Sequence, residues 1–450
     1  MSSAVHPGID TVVKLLHERL PVAAIVTEPT EVAAQCHLWN ARVNGLPAVL
    51  VRCRGVADVQ AVVRAVGAVG VPVSVLGGGH DWTGSAIVDG GVLIDLRGMR
   101  QVRIEGRVAC VAGGATVSDV LDAARPYGGA AAVGTVGSVG FAGLTLGGGY
   151  GTLIGVVGLG VDNLLSAEVV LADGRVVTAD SYHEPELFWA LRGGGANFGI
   201  VTELRTRLHP LAVVTTGMIA FPMDQARSVL RGWRDLVASA SDSLDVMFGA
   251  MTTPAGKVVF TSPTWSGDPV LGVEQMDAVR ALGEPMIDDV GDHALADAVH
   301  SLDELFPYGG NYQLSSRTLP GLTDAAIDSF IAAAEAMPAT CCLNVHHSHG
   351  AATRVPATET AYPYRDEHLV VEIIGAWPDG DGAIESAWVH DTEKQLGTHA
   401  VPGGWANLMA PGDHRVQDAY GINTERLVQL KAQYDPEGVF TAIPLPTTSD

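Results

Sequence analysis

Residues 75–84, VLGGGHDWTG, decide the fold of this chain, because three consecutive glycines stand between an apolar run and a histidine. The letters VPVSV at 71–75 lead into them and predict a strand. Glycine has no Cβ, so Gly77–Gly79 let another group lie directly against the backbone. We therefore predict a strand that runs into a loop, where the loop backbone and the His80 side chain face a bound group.

Three further segments are dense in glycine: residues 134–151, 158–160 and 193–199. Backbone N–H groups in such loops can converge on an anion, which suits the pyrophosphate of a dinucleotide. A Rossmann fingerprint would place its glycines after one strand and before one helix, whereas these are spread from Gly77 to Gly199. We therefore favour several loops wrapped around a long cofactor. Tight turns between short strands, or a nicotinamide enzyme, are the alternatives.

The composition limits the partners of the chain. It has 450 residues and a formal net charge of −23, which excludes nucleic acid and anionic membrane surfaces as expected partners. We find no apolar run of about 18 residues that would span a membrane. The five cysteines form no CxxC pair, and residues 1–20 do not resemble a signal peptide, so we expect a reduced, cytoplasmic protein, monomeric or homodimeric.

The pattern of elements predicts an α+β protein. Short apolar runs alternate with amphipathic helices up to residue 210, and longer strands and helices follow. Gly70 is predicted to end one helix, Thr116 to begin another as its N-cap, and Asp173-Gly174 to form the turn of a hairpin. We predict a first domain over 1–210 and an antiparallel sheet with helices on one face over 211–404. Residues 405–450 are predicted to return to the first domain.

Four segments in the first half resemble, in order, the berberine bridge enzyme-like branch of the vanillyl-alcohol oxidase flavoproteins. They are VPVSVLGGGHDWTGSAIVDGGVLIDL, VGTVGSVGFAGLTLGGGYG, GLGVDNLLSAEVVLADGRVV and ELFWALRGGGANFGIVT. Three C-terminal segments, HGAATRVPATETAYPYR, WAN and YDPEGVF, are also similar, so the resemblance covers about residues 35 to 445. It implies a two-part FAD-binding domain of the PCMH type and a separate substrate domain.

The resemblance implies that His80 is bonded to the 8α-methyl of the flavin. The alternative is an unmodified His80 that packs against the ring. Many members have a second, cysteinyl link, but Val136 stands at that place here, so we expect one link at most. The other residues implied to hold FAD are Leu76, Gly77, Gly78, Gly79, Asp81, Gly84, Val133, Gly134, Thr135, Gly137, Ser138, Gly140, Gly143, Leu144, Gly147, Tyr150, Gly151, Gly199, Ile200, Val201 and Asn407.

Several positions depart from the family pattern. Leu76 replaces an arginine, and Asp81 replaces a serine. The Asp81 carboxylate could orient the imidazole of His80 or accept a hydrogen bond from the surroundings of the flavin. Residues 155–157 lack the usual basic, aromatic run. The resemblance places Phe141 near the flavin carbon that meets oxygen, and a bulky residue there leaves a dehydrogenase open beside an oxidase.

The substrate side needs a group that accepts a proton. Glu372 stands alone among apolar residues of HLVVEIIGAW, and burial is expected to raise its pKa; a solvated edge position is the alternative. In CCLNVHHSHG, alternation separates Asn344, His346 and Ser348 from His347, and we select His347 for the pocket. Adjacent strand residues diverge, so we expect no metal site.

Near the C-terminus the family often has a catalytic tyrosine in Y-x-N, but here the letters are WAN. Trp405 is therefore an aromatic wall and not a base, and Asn407 is left to touch the polar edge of the flavin. Tyr312 is the fourth residue predicted to line the substrate pocket, besides Phe141, His347 and Trp405. Tyr308 and Trp265 are further candidates.

The sequence thus predicts an FAD-dependent oxidoreductase, with O₂ as the expected electron acceptor. The absent tyrosine and the apolar replacements near Gly155 favour a small to medium hydrophobic or heteroaromatic substrate over a free sugar. A secondary metabolite, an alkaloid or a reduced quinone-type antibiotic fits that description. The alternatives are a flavin-containing protein that sequesters a drug-like ligand without turnover, and an FAD dehydrogenase that reacts poorly with O₂.

Overall fold

The first sheet is mostly parallel and follows the strand order β1-β2-β4-β3. The computed structural model describes residues 5–42 and 45–447. β4 is buried at every position, as expected for a parallel strand that is covered on both faces. The strands are β1 (Ile25–Val26), β2 (Val49–Arg52), β3 (Val73–Leu76) and β4 (Val92–Asp95).

The second sheet is antiparallel, with the order β5-β6-β9-β7-β8. β7 and β8 form the hairpin predicted around Asp173 and Gly174, and Gly174 has φ 77°, a value that glycine adopts without strain. The strands are β5 (Val102–Glu105), β6 (Val108–Ala112), β7 (Leu164–Val170), β8 (Val176–Ala179) and β9 (Ile200–Arg207).

Within the described residues, eight α-helices precede residue 211, and two of them show why the sequence folds locally as it does. The longest buries Val59, Val62, Val63 and Val66, and it ends at Gly70, which has φ 77°. Another begins with a capping box in which Thr116 and Asp119 satisfy each other's backbone N–H groups. The helices are α1 (Ile9–His17), α2 (Pro29–Gln35), α3 (Val56–Val69), α4 (Val117–Ala124), α5 (Phe141–Leu146), α6 (Ile154–Val157), α7 (Gly160–Asn163) and α8 (Pro185–Gly194).

The third sheet has nine strands and is antiparallel throughout. Its main path is β14-β11-β13-β12-β17-β18-β16, and β10 joins β13 to β15. The strands are β10 (Val213–Thr216), β11 (Ile219–Pro222), β12 (Leu244–Thr253), β13 (Gly256–Trp265), β14 (Ile287–Asp288), β15 (Gly291–Ala294), β16 (Asn311–Leu319), β17 (Cys342–Ser348) and β18 (His368–Trp377).

Helices cover one face of the third sheet. Val345, Val371 and Ile373 point into a core that they share with Trp233 and Trp388 of the covering helices. The predicted α+β class and one-sided helical cover are confirmed. The remaining helices are α9 (Ala226–Val237), α10 (Pro269–Arg280), α11 (Leu295–Leu302), α12 (Asp324–Ala336), α13 (Ala383–Gly397) and α14 (Thr424–Tyr434).

Two segments outside residues 1–210 pack on the core of the second sheet. Leu427 of α14 joins the same buried cluster as Leu187 of α8, and Val299 of α11 joins it from the middle of the chain. Lys431 donates to the backbone oxygen of Asn197 at 2.7 Å. The helix α11 and the C-terminal segment therefore bring the third sheet against the glycine loops.

No helix in residues 5–42 or 45–447 is long and apolar enough to cross a membrane.

A buried ion pair joins α7 to the loop before β18. The guanidinium of Arg365 donates to both carboxylate oxygens of Asp162 at 2.9 and 2.8 Å, and it also donates to Thr360 at 2.7 Å. The Arg365 and Asp162 side chains are only 5% and 9% exposed. Each charge therefore depends on the other, because little water reaches them.

Replacing Arg365 by methionine should lower the free energy of unfolding by about 3–5 kcal/mol, because it leaves the Asp162 carboxylate buried without its partner. Arg231→Met is the matched control: Arg231 pairs with Asp324 on the surface, and its loss should leave stability nearly unchanged. Denaturant unfolding of the two variants measures the difference. Equal effects would show that the Arg365 pair is no more important than a surface pair.

Candidate active site

The glycine segments meet backbone to backbone between the first two sheets and the third. A Cβ on Gly78 would lie 2.2 Å from the backbone nitrogen of Gly140, and one on Gly151 would lie 1.9 Å from the oxygen of Val133. A Cβ on Gly147 would lie 1.9 Å from the side chain of Asn407. Any larger residue at these three positions would push the loops apart. The structure therefore brings together loops that are distant in the sequence.

His80 follows β3 and is held by three neighbours. Its Nε2 lies 2.9 Å from Oγ of Ser138. The Trp39 ring stacks on the imidazole at 5.4 Å between centroids, and Tyr308 meets it edge-on at 5.8 Å. Burial lowers the pKa of His80 to about 4, so the imidazole is neutral at physiological pH. A neutral imidazole keeps a nitrogen lone pair, which a bond to carbon requires.

Asp81 does not orient His80. Its carboxylate accepts hydrogen bonds from the backbone and hydroxyl of Thr83, at 3.1 and 2.8 Å, and from the backbone of Ala86 at 2.8 Å. The side chain thus closes the turn after the histidine, as aspartate commonly does two residues before a backbone donor. This corrects the prediction that Asp81 orients the imidazole, because Ser138 is the side chain bonded to the ring.

Glu372 on β18 meets a side chain from the second glycine segment. The hydroxyl of Tyr150 donates to Oε1 of Glu372, and Nε2 of His346 on β17 lies 3.5 Å from Oε2. Asn344 stands directly opposite Glu372 in the strand register. Sequence reasoning assigned Tyr150 to the cofactor and did not connect it with Glu372. We call Tyr150, Glu372 and His346 the acid–base cluster.

The expected rise in the pKa of Glu372 is wrong. Burial alone would raise the pKa of this carboxyl, but the charge of His346 and hydrogen bonds from His346, Tyr150 and Asn344 outweigh it, so the pKa lies below its usual value. Burial, followed by the neighbouring Glu372 carboxylate, raises the pKa of Tyr150 well above its usual range. At neutral pH the pair is therefore a phenol that donates to a carboxylate.

His347 lies on the opposite face of β17 from the acid–base cluster. Its Nε2 is 2.7 Å from Oε1 of Glu367, and its ring meets Trp233 of α9. His347, Glu367 and Trp233 line a cavity of about 280 Å³ on the helix-covered face of the third sheet. This corrects the prediction that His347 lines the substrate pocket. Alternation along the strand places its neighbour His346 beside Glu372 instead.

Aromatic rings form two groups, one beside the acid–base cluster and one beside His80. Trp405 meets Tyr150 edge-on at 4.6 Å and packs on Tyr362 at 4.5 Å. Tyr312 stacks on Trp39 at 3.9 Å with the rings 1° from parallel. Trp405 and Tyr312 are 3% and 2% exposed, so both rings are held firmly. The structure thus brings both predicted wall residues toward the glycine segments.

Two other candidate residues are buried in apolar cores. Phe141 is fully buried in the core of the second sheet, and its position beside the flavin stays a prediction. Trp265 belongs to the helix-covered core of the third sheet and donates to the backbone oxygen of Asp268. Tyr308 does reach the glycine loop, because a Cβ on Gly79 would lie 2.3 Å from its hydroxyl.

The comparisons with known proteins cover most of the chain. The FAD binding domain family matches residues 47–180, and the family described as berberine and berberine like matches residues 391–443. The FAD-linked oxidoreductase hasG of Aspergillus fumigatus is 30% identical over 447 residues, which cover 90% of this chain and 92% of that protein. The chain belongs to the berberine bridge enzyme-like family of FAD-linked oxidoreductases.

Two more relatives of this berberine bridge enzyme-like protein are oxidases with a named substrate. The (R)-6-hydroxynicotine oxidase of Paenarthrobacter nicotinovorans is 41% identical over 180 residues, 40% of this chain and 39% of that one. The crystal structure of 6-hydroxy-D-nicotine oxidase from Arthrobacter nicotinovorans superposes with a TM-score of 0.84 at 25% identity, covering 93% of this chain and 96% of that chain. The chain is therefore an FAD-dependent oxidoreductase.

The residues of this berberine bridge enzyme-like chain fit a bound FAD. Oδ1 of Asn407 and Nε1 of Trp82 are buried and have no hydrogen-bond partner, which leaves one acceptor and one donor to satisfy. The backbone N–H groups of Gly137 and Ser138 already hold an anionic group, the carboxylate of Asp303. Glycine loops, anion-binding amides and a neutral imidazole are the donor set that a flavin dinucleotide needs.

Within the described residues, no cluster of three or more His, Cys, Asp and Glu side chains could hold a metal ion. Sequence reasoning missed Trp39, Tyr362 and His346 as parts of the site. Alternation along β17 already placed His346 on one face with Asn344, so a link to Glu372 was within reach. Trp39 and Tyr362 lie in irregular segments, where no periodic pattern marks their direction.

Replacing His346 by glutamine should move the acid limb of the pH–rate profile for flavin reduction to higher pH, by about one pH unit or more. Loss of the nearby positive charge raises the pKa of Glu372, so the carboxylate is protonated, and the rate falls, at a higher pH than in the wild type. Anaerobic reduction rates between pH 4 and 9 measure the shift. His347→Gln, on the other face of the same strand, is the control; an acid limb that moves equally in both variants would contradict the assignment.

Proposed function

We propose that this chain is an FAD-linked oxidase of a small to medium hydrophobic or heteroaromatic molecule, with the flavin bonded to His80. The observation that carries the proposal is the acid–base cluster, which joins the second glycine segment to the third sheet. FAD, when bound, accepts a hydride, which consists of two electrons and one proton, from the substrate. The remaining proton is handled by side chains of this chain.

Tyr150 and Glu372 act as a proton relay in this proposal. The phenol is neutral, because its pKa is raised far above 10, and cannot serve as a phenolate base by itself. Glu372 is ionised and already accepts the phenolic hydrogen bond. Tyr150 can therefore take the substrate proton on its oxygen while it passes its own proton to Oε1 of Glu372. His346 holds the carboxylate in its ionised state.

The surroundings of the relay support an aromatic substrate. Trp405 and Tyr362 form a wall beside Tyr150, and the Trp39–Tyr312 stack lies against His80. Flat rings of this kind bind other flat rings well, by stacking or edge contacts. The relatives that act on 6-hydroxynicotine, a heteroaromatic amine, agree with this choice. Alkaloids and reduced quinone-type metabolites are the compounds to test first.

The five unpaired cysteines support a reducing, cytoplasmic location.

The test is a substrate panel applied first without oxygen and then with it. A substrate should bleach the flavin anaerobically, and admission of O₂ should restore the colour and release peroxide. Bleaching without peroxide, with turnover on an artificial acceptor, would make the protein a dehydrogenase. Ligand binding that never bleaches the flavin, across heteroaromatic amines, phenols and hydroquinones, would refute the proposal in favour of a sequestering role.

A further inference from the structure

The segment between α11 and β16 lies across the glycine loops. We call residues 303–310 the strap. The Trp39 indole donates to the backbone oxygen of Phe306 at 3.0 Å, and the Tyr308 hydroxyl donates to that of His37 at 3.0 Å. Backbone bonds from Gly309 to Trp39, and from Ala41 to Gly310, fasten its end. The strap thus covers the side of His80 that Tyr308 and Trp39 contact.

At its start, the strap places a carboxylate on the second glycine segment. Oδ1 of Asp303 accepts from the backbone N–H groups of Gly137 and Ser138 at 2.8 and 3.2 Å. It also lies 3.4 Å from Oγ of Ser138, the atom that contacts His80. Consecutive N–H groups that converge on an anion form the kind of nest that binds phosphate in other proteins. Here the anion is the chain's own side chain.

We propose that the Asp303 carboxylate competes with the phosphates of FAD for the Gly137 and Ser138 N–H groups, so that release of the strap limits cofactor uptake. This inference rests on the proposed placement of FAD at the glycine segments. The two N–H groups cannot bond both anions at once, and a carboxylate beside a diphosphate would add repulsion between like charges. Uptake therefore requires the carboxylate to leave before the phosphates arrive.

The anchoring of α11 makes the competition a local event. Its buried residues Leu295, Ala296 and Val299 remain packed on the core of the second sheet. Residues 304, 305 and 307–309 of the strap are exposed. The strap can thus lift at Asp303 while the helix before it stays in place. The hydrogen bonds of the charged Asp303 side chain hold the strap on the second glycine segment, and a neutral side chain at position 303 would hold it less firmly.

The experiment measures FAD uptake by the full chain, prepared as apoprotein from riboflavin-starved cells. Rapid mixing with FAD follows the quenching of flavin fluorescence. Asp303→Asn should raise the association rate constant by about tenfold, because a larger share of the protein is ready to bind. Asp303→Ala also removes the carboxylate and should likewise raise the rate of FAD association. It replaces the asparagine variant if that variant folds poorly. Asp297→Asn removes the same charge from the same region without touching the glycine loop, and it should match the wild type.

Riboflavin, which carries no phosphate, is the second probe. Its association should be unchanged by Asp303→Asn, whereas inorganic pyrophosphate should compete with FAD more strongly in the variant than in the wild type. Equal acceleration of riboflavin and FAD would overturn the proposal, as would an unchanged or slower FAD rate in both Asp303 variants. A wild-type apoprotein that binds no FAD at all would instead refute the placement of the cofactor.

Discussion

Replacing Tyr150 by phenylalanine should slow the reduction of the flavin by substrate by about 10²–10⁴-fold, the usual contribution of a positioned acid–base group. The change removes one oxygen and keeps the ring. The contacts of that ring with Trp405 and His346, at 4.6 and 4.8 Å between centroids, should therefore survive. FAD should remain bound with an ordinary absorption spectrum. The expected loss is thus one of proton transfer and not of folding.

Glu372→Gln should cause a similar loss, because an amide cannot take up the proton that Tyr150 passes on. The two residues act as a unit, so the double variant should be little slower than either single variant. Anaerobic stopped-flow bleaching measures all three rates. Tyr364→Phe is the matched control: the Tyr364 hydroxyl donates to the backbone oxygen of Asp418 at 3.2 Å, outside the acid–base cluster. Losses that multiply in the double variant would show two independent roles instead of a relay.

Local signals in the sequence predicted several elements of the fold correctly. The N-cap at Thr116, Gly70 at the end of α3 and the hairpin at Asp173–Gly174 each depend on residues within a few positions of one another. The alternation that placed His346 and His347 on opposite faces of β17 was also correct. These features follow from backbone geometry, which neighbouring residues determine almost alone.

The sequence could not decide which face of β17 is the functional one. Both faces of this central strand are covered, one by helices and the other by Tyr150 and its glycine segment, and each face carries a histidine. The choice depends on Tyr150, which lies 222 positions from Glu372 in the chain. The same partner, with His346, reversed the expected pKa shift of Glu372. Asp303 likewise reaches Gly137 across 166 positions. Contacts of this range are products of the fold and leave no mark on local pattern.

Replacing His80 by alanine should abolish retention of flavin on the acid-precipitated protein, whereas the wild type should keep its yellow colour in the pellet. The imidazole is neutral, because burial lowers its pKa to about 4, and so it has a lone pair available for the bond. Valine at 136 cannot supply a second link, so the loss should be complete. Flavin fluorescence of the denatured band in a gel gives the same information for each variant.

The native His80→Ala protein should still bind FAD reversibly, because the glycine loops, the Gly137 and Ser138 N–H groups and Asn407 are unchanged by the substitution. His183→Ala provides the control, since that histidine is 74% exposed and lies far from the glycine loops in the β8–α8 turn. Flavin released from the wild type by acid would make His80 a packing residue against the ring. Flavin retained in His80→Ala would require a different covalent anchor, and no cysteine stands at the position where the family has its second one.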